Sequence, residues 1–522
     1  MAERQGALGA AIPEEQPAPP SLFVMFGATG DLSGRKIAPA LYNLTRDGLI
    51  PRDTVVLGVA RRQISDDQFR QHMHQAVSEH SRRGPQTRSS GFGGPSSPID
   101  EAIWGAMAQR WHYHSAQFDR AEDFRGLAAR MGELERQYGL TGRRLFYLAV
   151  APNLLMDLAC NLGKVALNRP TCEDGCVRVV VEKPFGKDLA SARQLNECVL
   201  RVFDESQVYR IDHYLGKETV QNLLVLRFAN AVFDPLFSRQ FVDQVQITTT
   251  ESAGMEGRRG AYYEEAGALR DMIQSHMLQL LALLAMDVPP RMDAEYIRGG
   301  KAAVLEAIAP MTPEQAPRRT VRGQYVASAG RPGYRQEQGV APDSQVETFV
   351  ALTLYVDNRR WAGVPFHLRT GKALGAKTSQ ITIVFKREPK DLFDQIGCDT
   401  RSPNRLTIRI YPNEGMSLAV DGKVPGPGML LRPLKMDFSY GSAFESASPE
   451  AYEHLVLDAL QGEATLFLRN DEVEASWRIV DSIAGSWKAT GMPKLIMYPA
   501  GGPGPAEAQG LLGDPYKVWY PF

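Results

Sequence analysis

The chain has 522 residues, with Lys+Arg 59 against Asp+Glu 60 and a formal net charge of −1. Such a balance offers no field to draw nucleic acid or an anionic membrane surface. A hydrophobic content of 43% with 23% charged residues is that of an ordinary globular protein, large enough for two or more domains and without an apolar run that could span a bilayer.

Residues 1–20, "MAERQGALGAAIPEEQPAPP", carry Glu14, Glu15 and several prolines and lack a basic start followed by an apolar block. They read as a disordered tail, not a signal or transit peptide. The five cysteines (Cys160, Cys172, Cys176, Cys198 and Cys398) are odd in number and sparse. That usage suits a reducing cytoplasm better than a disulfide framework. Cys172 and Cys176 lie close together, but no second Cys or His pair stands at zinc spacing, so ordinary thiols and no metal site are expected.

The ordered part begins with Leu22 to Phe26, a continuous apolar run of the kind found in a central parallel strand covered on both faces. A glycine turn follows, and then Ile37, Leu41, Leu44 and Leu49 recur at roughly helical spacing. "TVVLGVAR" reads as a second buried strand, and residues 82–98, rich in Gly, Ser and Pro, as a mobile surface loop. "RLFYLAV" and "VRVVVEKPFG" are further strands with helical stretches between them. This alternation predicts a Rossmann-like, doubly wound α/β domain over residues 21–210.

Beyond it, "FVDQVQITTTES", "VETFVALTLYVDN", "QITIVFKRE" and "RLTIRIYPNEG" follow one another as strand-like runs. They predict an α+β domain over residues 211–522, with a large, mostly antiparallel sheet and helices on one face. "AGALRDMIQSHMLQLLALLAM" is the strongest helix in the chain and should be buried. The segment from Tyr498 onward reads as irregular, and there is no internal repeat.

Between the first strand and its helix stands Gly27-Ala28-Thr29-Gly30-Asp31-Leu32, followed by Ser33 and Gly34. Glycines there let the backbone approach a pyrophosphate, and the helix N-terminus supplies free N–H groups and a positive dipole end. A tight turn is the plain alternative, but the position in a first βα unit favours a dinucleotide. The second strand ends in Arg61 and Arg62 where NAD-specific folds place a carboxylate. A guanidinium there binds a 2′-phosphate, so NADP is favoured and NAD is secondary.

Lys183 follows a strand at the sheet edge where ligands bind in open α/β folds. In "YRIDHYLGKE", His213 and Lys217 are four apart and share a face if the helix has begun, so they could clamp a phosphate. Asp212 would then point elsewhere. His276 has the imidazole best suited to be a general base near neutral pH, against the plain reading of a satisfied core histidine. Asp271, five positions earlier, lies roughly 140° around an α-helix from it and makes no obvious dyad. Asp212 is the more distant partner this leaves for His276.

At these residues the chain resembles the glucose-6-phosphate dehydrogenase family. The motifs that carry the resemblance are "FGATGDLSGRKIAPALYNL", "EKPFG", "RIDHYLGKE", "GALRDMIQSH" and "RWAGVPFHLRTGKAL", in the family's order. The resemblance implies oxidation of glucose 6-phosphate at C1 to 6-phosphoglucono-1,5-lactone with hydride passed to NADP, the entry to the pentose phosphate pathway. It implies that His276 is the base and that Asp212 orients it. His213, Tyr214 and Lys217 would grip the phosphate. Lys183 would lie between substrate and nicotinamide, touching both. Glu251 and Asp271 would accept sugar hydroxyls, Lys372 and Lys377 would be further substrate lysines, and Arg61 would hold the 2′-phosphate. A homodimer or homotetramer is implied as well. Two departures stand out: Ser275 replaces an asparagine common before the histidine, and "MEGRRGAYY" is one residue longer than usual. Two other readings are a different NADP-dependent sugar oxidoreductase and a non-catalytic NADP-sensing protein that kept the fold.

Overall fold

The structure, a computed structural model, describes residues 17–81, 99–171, 175–255, 259–387, 403–440, 449–514 and 516–521. Most of the expected tail, the 82–98 loop, Cys172 and Cys398 lie outside the described residues.

The first sheet holds β1 (Leu22–Phe26), β2 (Val55–Ala60), β3 (Trp111–Ser115), β4 (Arg144–Leu148), β5 (Val177–Val181), β6 (Val208–Ile211) and, from far along the chain, β15 (Phe467–Leu468). Its order is β15-β6-β5-β4-β1-β2-β3. β1 to β6 are parallel, and only β15 runs against its neighbour. Every residue of β1 and β2 is buried, because helices cover both faces and leave no position for a polar side chain. The strand order reverses between β1 and β4, which opens a crevice at the carboxyl ends of those strands. The helix predicted from Ile37 to Leu49 is Ala38–Arg46, preceded by a π-helical turn at Ser33–Ile37. Leu49 therefore lies beyond the helix, in the turn that leads to β2.

The second sheet has nine strands in the order β14-β13-β12-β11-β7-β10-β9-β8-β16. They are β7 (Val242–Thr250), β8 (Thr320–Val326), β9 (Phe349–Tyr355), β10 (Pro365–Gly371), β11 (Thr378–Phe385), β12 (Arg405–Tyr411), β13 (Gly415–Lys423), β14 (Leu431–Ser439) and β16 (Leu495–Pro499). All pairings are antiparallel except β7 with β10 and β8 with β16. The predicted mostly antiparallel sheet is thus present, with β7, β9, β11 and β12 at the expected runs. β10 starts at a proline and carries His367, Arg369 and Thr370, and β14 is largely exposed, so neither shows a clean apolar alternation. Of the segment expected to be irregular from Tyr498, only Tyr498 and Pro499 lie in a strand, where Tyr498 is buried and its hydroxyl donates to the Lys372 carbonyl at 2.7 Å; the described residues beyond are turns and loops with one 3-10 stretch at Ala506–Leu512.

The segment Leu269–Ala285 packs its start against β7 and β10, and every residue from Leu278 to Ala285 is buried. The two halves of the chain are stitched together behind the crevice. Trp477 Nε1 donates to the Phe185 carbonyl at 2.8 Å, and Asn43 Nδ2 donates to Glu453 Oε1 at 3.1 Å. β15 extends the first sheet with residues from the second half. Two groups of active-site side chains carried by different halves can therefore be held in fixed register.

Candidate active site

Asp212 and His276 meet. β6 ends at Ile211, so Asp212 is the first residue past the strand, at the carboxyl edge of the sheet. Its Oδ1 lies 2.5 Å from His276 Nδ1 and also accepts the Tyr214 backbone N–H at 3.0 Å. Both side chains are nearly sealed from solvent, at 2% exposure for His276 and 1% for Asp212. Burial by itself would raise the Asp212 carboxyl, but the opposing imidazole more than offsets this and holds it below the usual carboxylate range. His276 is lowered: burial disfavours imidazolium and outweighs the pull of Asp212. At neutral pH the pair is a carboxylate and a neutral imidazole.

The tautomer follows from the surroundings. Asp212 can only accept, so His276 carries its proton on Nδ1. Lys183 Nζ lies 2.9 Å from Nε2, and an ammonium can only donate. The Nε2 lone pair therefore accepts from Lys183. Lys183 stands just past the end of β5 and also donates to the Asp271 carbonyl at 3.0 Å.

Asp271 is where helix geometry departs from expectation. Residues Leu269–Met277 form a π-helix, not an α-helix. Hydrogen bonds from i to i+5 stack residues five apart, so Asp271 and His276 share a face and Lys183 bridges them. The start of this segment is set by Gly267, at φ 62°, where a side chain would collide with the Glu347 carboxylate. Glu347 then accepts the Leu269 N–H at 3.3 Å. Asp271 is held near 2: burial pushes it up, but Lys183 and Lys372 pull it further down. Lys372 Nζ reaches Glu251 Oε2 at 2.8 Å and Asp271 Oδ2 at 3.5 Å. Glu251, Asp271, Lys183, Lys372, His276 and Asp212 thus form one continuous charged network.

The residues expected to grip a phosphate pack beside His276. No helix runs through His213 to Lys217: residues 213–216 form turns, and Lys217 is the extended N-cap of the helix Glu218–Phe228. The expected one-face argument for His213 and Lys217 therefore fails, and the turn brings them to the site instead. The Tyr214 ring stacks on His276 with centroids 4.4 Å apart, and the His213 ring meets His276 edge-on at 4.5 Å. Lys217 Nζ lies 4.1 Å from the Tyr214 ring centre, and Lys377 Nζ lies 4.6 Å from that of Tyr411. Burial, opposed by Glu414 and aided by Lys377, lowers Lys217 to about 8. His213 is pushed well down by burial and then by His276, so it is neutral. Donor atoms of Asp212, His213 and His276 lie within 4.8 Å of one another.

The glycine loop lies at the crevice. Gly27, at φ 74°, has its missing side chain 2.1 Å from the Ala149 carbonyl oxygen, so no other residue fits. Ser33 Oγ donates to the Gly27 carbonyl at 3.0 Å, and the Gly30 N–H donates to the same carbonyl at 2.8 Å. Ala28 and Gly34 are buried behind the loop, while Thr29, Gly30, Asp31 and Leu32 reach its outer side. Asp31 pairs with Arg35 at 2.7 Å. Arg61 follows β2, is exposed, and has no acidic partner among the described residues. A backbone cradle that excludes side chains and an unneutralised guanidinium fit a dinucleotide with an extra phosphate.

Several residues of the site escaped sequence reasoning. Glu182, next to Lys183, accepts the Tyr147 hydroxyl at 2.6 Å and is pushed up to about 7 by burial. Tyr262 and Tyr263 line the open side of the pocket with Met255, Asp271 and Lys372. Thr249 Oγ1 and Ser379 Oγ bond each other at 3.2 Å beside Tyr214. Adjacency to a singled-out lysine pointed to Glu182; nothing local pointed to the others. Ser275 Oγ turns back to the Asp271 carbonyl at 3.3 Å.

Fold and site together define an oxidoreductase with a nicotinamide-nucleotide-binding domain. Residues 24–222 match the family model "Glucose-6-phosphate dehydrogenase, NAD binding domain", and residues 224–520 match "Glucose-6-phosphate dehydrogenase, C-terminal domain". The chain belongs to the glucose-6-phosphate dehydrogenase family. It is 43% identical to glucose-6-phosphate 1-dehydrogenase of Chlamydia pneumoniae over 513 residues, 97% of this chain and 96% of the relative. It is 44% identical to glucose-6-phosphate 1-dehydrogenase 2 of Mycobacterium tuberculosis (strain H37Rv) over 504 residues, 96% of this chain and 94% of the relative. Among solved structures, a glucose-6-phosphate dehydrogenase in complex with glucose 6-phosphate superposes with a TM-score of 0.86 at 33% identity, covering 97% of this chain and 99% of the other. The Mycobacterium avium enzyme gives 0.81 at 34% identity, with the same coverage.

Proposed function

We propose that this chain oxidises D-glucose 6-phosphate at C1 to 6-phospho-D-glucono-1,5-lactone with NADP as acceptor, the first step of the pentose phosphate pathway. The observation that carries the reading is the sealed Asp212–His276 pair, whose Nε2 lone pair meets Lys183 and faces a lysine-rich pocket. When bound, the nicotinamide ring accepts a hydride. His276 Nε2 removes the C1 hydroxyl proton as the C1–H bond breaks, and Asp212 stabilises the imidazolium that forms. A neutral base suffices for a carbinol, so the reaction calls for no metal to polarise a carbonyl. Lys183 moves off Nε2 to bridge substrate and cofactor. Glu251, Asp271 and Lys372 orient the sugar hydroxyls.

The substrate phosphate is gripped by Lys217, His213, Tyr214 and Lys377. Binding energy from that remote group positions C1 for reaction. Gly27 to Gly34 cradle the pyrophosphate, and Arg61 selects the 2′-phosphate. Intact base, orienter and anchor lysines speak against a non-catalytic NADP sensor. Exposed Leu434 and Met436 on the outer strand β14 support a homodimer or homotetramer. The sparse cysteines support a cytoplasmic setting, and no helix among the described residues is long and apolar enough to cross a membrane. An absorbance assay at about 340 nm for the reduced nicotinamide, with glucose 6-phosphate and either NADP or NAD, tests the reading. Strong reduction with NADP is expected; none with either cofactor would sink it.

A further inference from the structure

The helices Pro152–Lys164 and Leu189–Leu200 follow β4 and β5 and pack against each other. Cys160 on the first and Cys198 on the second bring their Sγ atoms to 3.4 Å, either able to donate to the other. Cys160 is exposed and Cys198 is buried, with the Cys198 thiol also directed at the Met156 carbonyl at 3.7 Å. The described remaining thiol, Cys176, lies instead near Arg143, at 3.8 Å.

We propose that Cys160 and Cys198 form a modification site, a dithiol that a small disulfide oxidant such as glutathione disulfide converts to an intrachain disulfide. A disulfide bond of about 2.05 Å requires the sulfurs to close by about 1.4 Å, and Cys160 stands on the exposed side of the pair. Roles follow from the surroundings. Burial, and then the hydrogen bond from Cys160, push the Cys198 thiol up to about 12, so Cys160 is the thiol that attacks first.

The Cys160 thiolate attacks one sulfur of the oxidant, forming a mixed disulfide and expelling one glutathione thiolate, which takes up a proton. Cys198 then loses its proton to solvent and attacks Cys160 Sγ, expelling the second glutathione. The two protein thiols are oxidised to one S–S bond, and one glutathione disulfide is reduced to two thiols. The burial of Cys198 shields it from the oxidant, so oxidation starts at the exposed Cys160. Both cysteines lie toward the ends of their helices distant from the carboxyl edge of the sheet, where the glycine loop and Lys183 stand. The crosslink ties residues 38 apart in sequence and therefore stiffens the nucleotide-binding half without entering the site.

Peptide mapping of the full-length protein tests this. The chain is incubated with glutathione disulfide in mildly alkaline buffer, alkylated and digested, and the linked peptides are identified by mass spectrometry. A Cys160–Cys198 peptide that dithiothreitol removes is expected, with a higher unfolding temperature for the oxidised protein than for the reduced one. Cys160→Ser should abolish both, and Cys198→Ser should leave a glutathione adduct on Cys160. A persistent glutathione adduct on Cys160 of the unmutated protein, two unmodified thiols, or pairing with other cysteines in their place would each overturn the proposal. The map of the unmutated chain decides this even if a variant does not fold.

Discussion

Around His276 the charged groups answer one another, whereas around Lys217 two ammonium groups rest against aromatic rings. On the first side, Asp212, Lys183, Asp271, Lys372 and Glu251 are linked at 2.5 to 3.5 Å. On the second, Lys217 and Lys377 lie near Tyr214 and Tyr411, and burial, then Lys377, lower Lys217 against the pull of Glu414. The difference suits the two tasks proposed for these groups. A proton acceptor must be held in one tautomer and one orientation before substrate arrives, which a satisfied buried network achieves. An anion grip must keep positive charge unneutralised until a phosphate supplies the counter-charge. The network spans both halves of the chain, with Lys183 reaching His276 Nε2 from the first half.

Substitutions on the two sides should therefore separate turnover from binding. The largest effect is expected for His276→Asn, with kcat lower by about 10³- to 10⁴-fold and glucose 6-phosphate binding by calorimetry largely kept. Near-normal turnover in this variant would show that the base is elsewhere. Asp212→Asn should lower kcat by roughly 10²-fold or more, since an amide no longer enforces the Nδ1–H tautomer. It should also move the acid limb of the kcat/KM profile to lower pH, because the carboxylate raises the His276 value and its loss makes the base weaker.

On the other side, Lys217→Ala should raise KM for glucose 6-phosphate by roughly 10- to 100-fold while kcat changes little. An equal fall in kcat would blur the division between the two regions. Arg61→Ala should raise KM for NADP by about tenfold and leave that for NAD unchanged, as steady-state assays with each cofactor would show. The smallest effect is a pH limb. Lys217, at about 8 in the free protein, loses its charge as pH rises, so kcat/KM should decline above that point. Lys217→Arg should shift the decline to higher pH; an unmoved limb would assign it to another group.

Periodicity and composition were enough for the parallel sheet, because strands buried on both faces must be apolar throughout. β3, which carries His112 and His114, did not show itself in this way, nor did β13 and β14 on the exposed side of the second sheet. The pairing of Asp212 with His276 was reached by excluding Asp271 on α-helical geometry. The partner is right in the structure, yet the geometry used to exclude Asp271 does not hold. A π-helix cannot be read from the residues 269–277, because its extra residue per turn comes from packing after the Gly267 break and the Glu347 contact.

By itself the sequence determined which groups are available: a glycine-bearing first βα turn, two arginines after the second strand, and acids, imidazoles and lysines in motifs spread from Lys183 to Lys377. Their chemistry follows from residue type and local backbone, which neighbours in the chain control. Tertiary structure alone decided which groups touch. The approach of β6 to the buried π-helix brings Asp212 to 2.5 Å from His276; burial there favours the neutral imidazole, and the imidazole opposite keeps the buried carboxyl charged against its own desolvation. Distance and desolvation depend on segments far apart in sequence, so no local pattern encodes them.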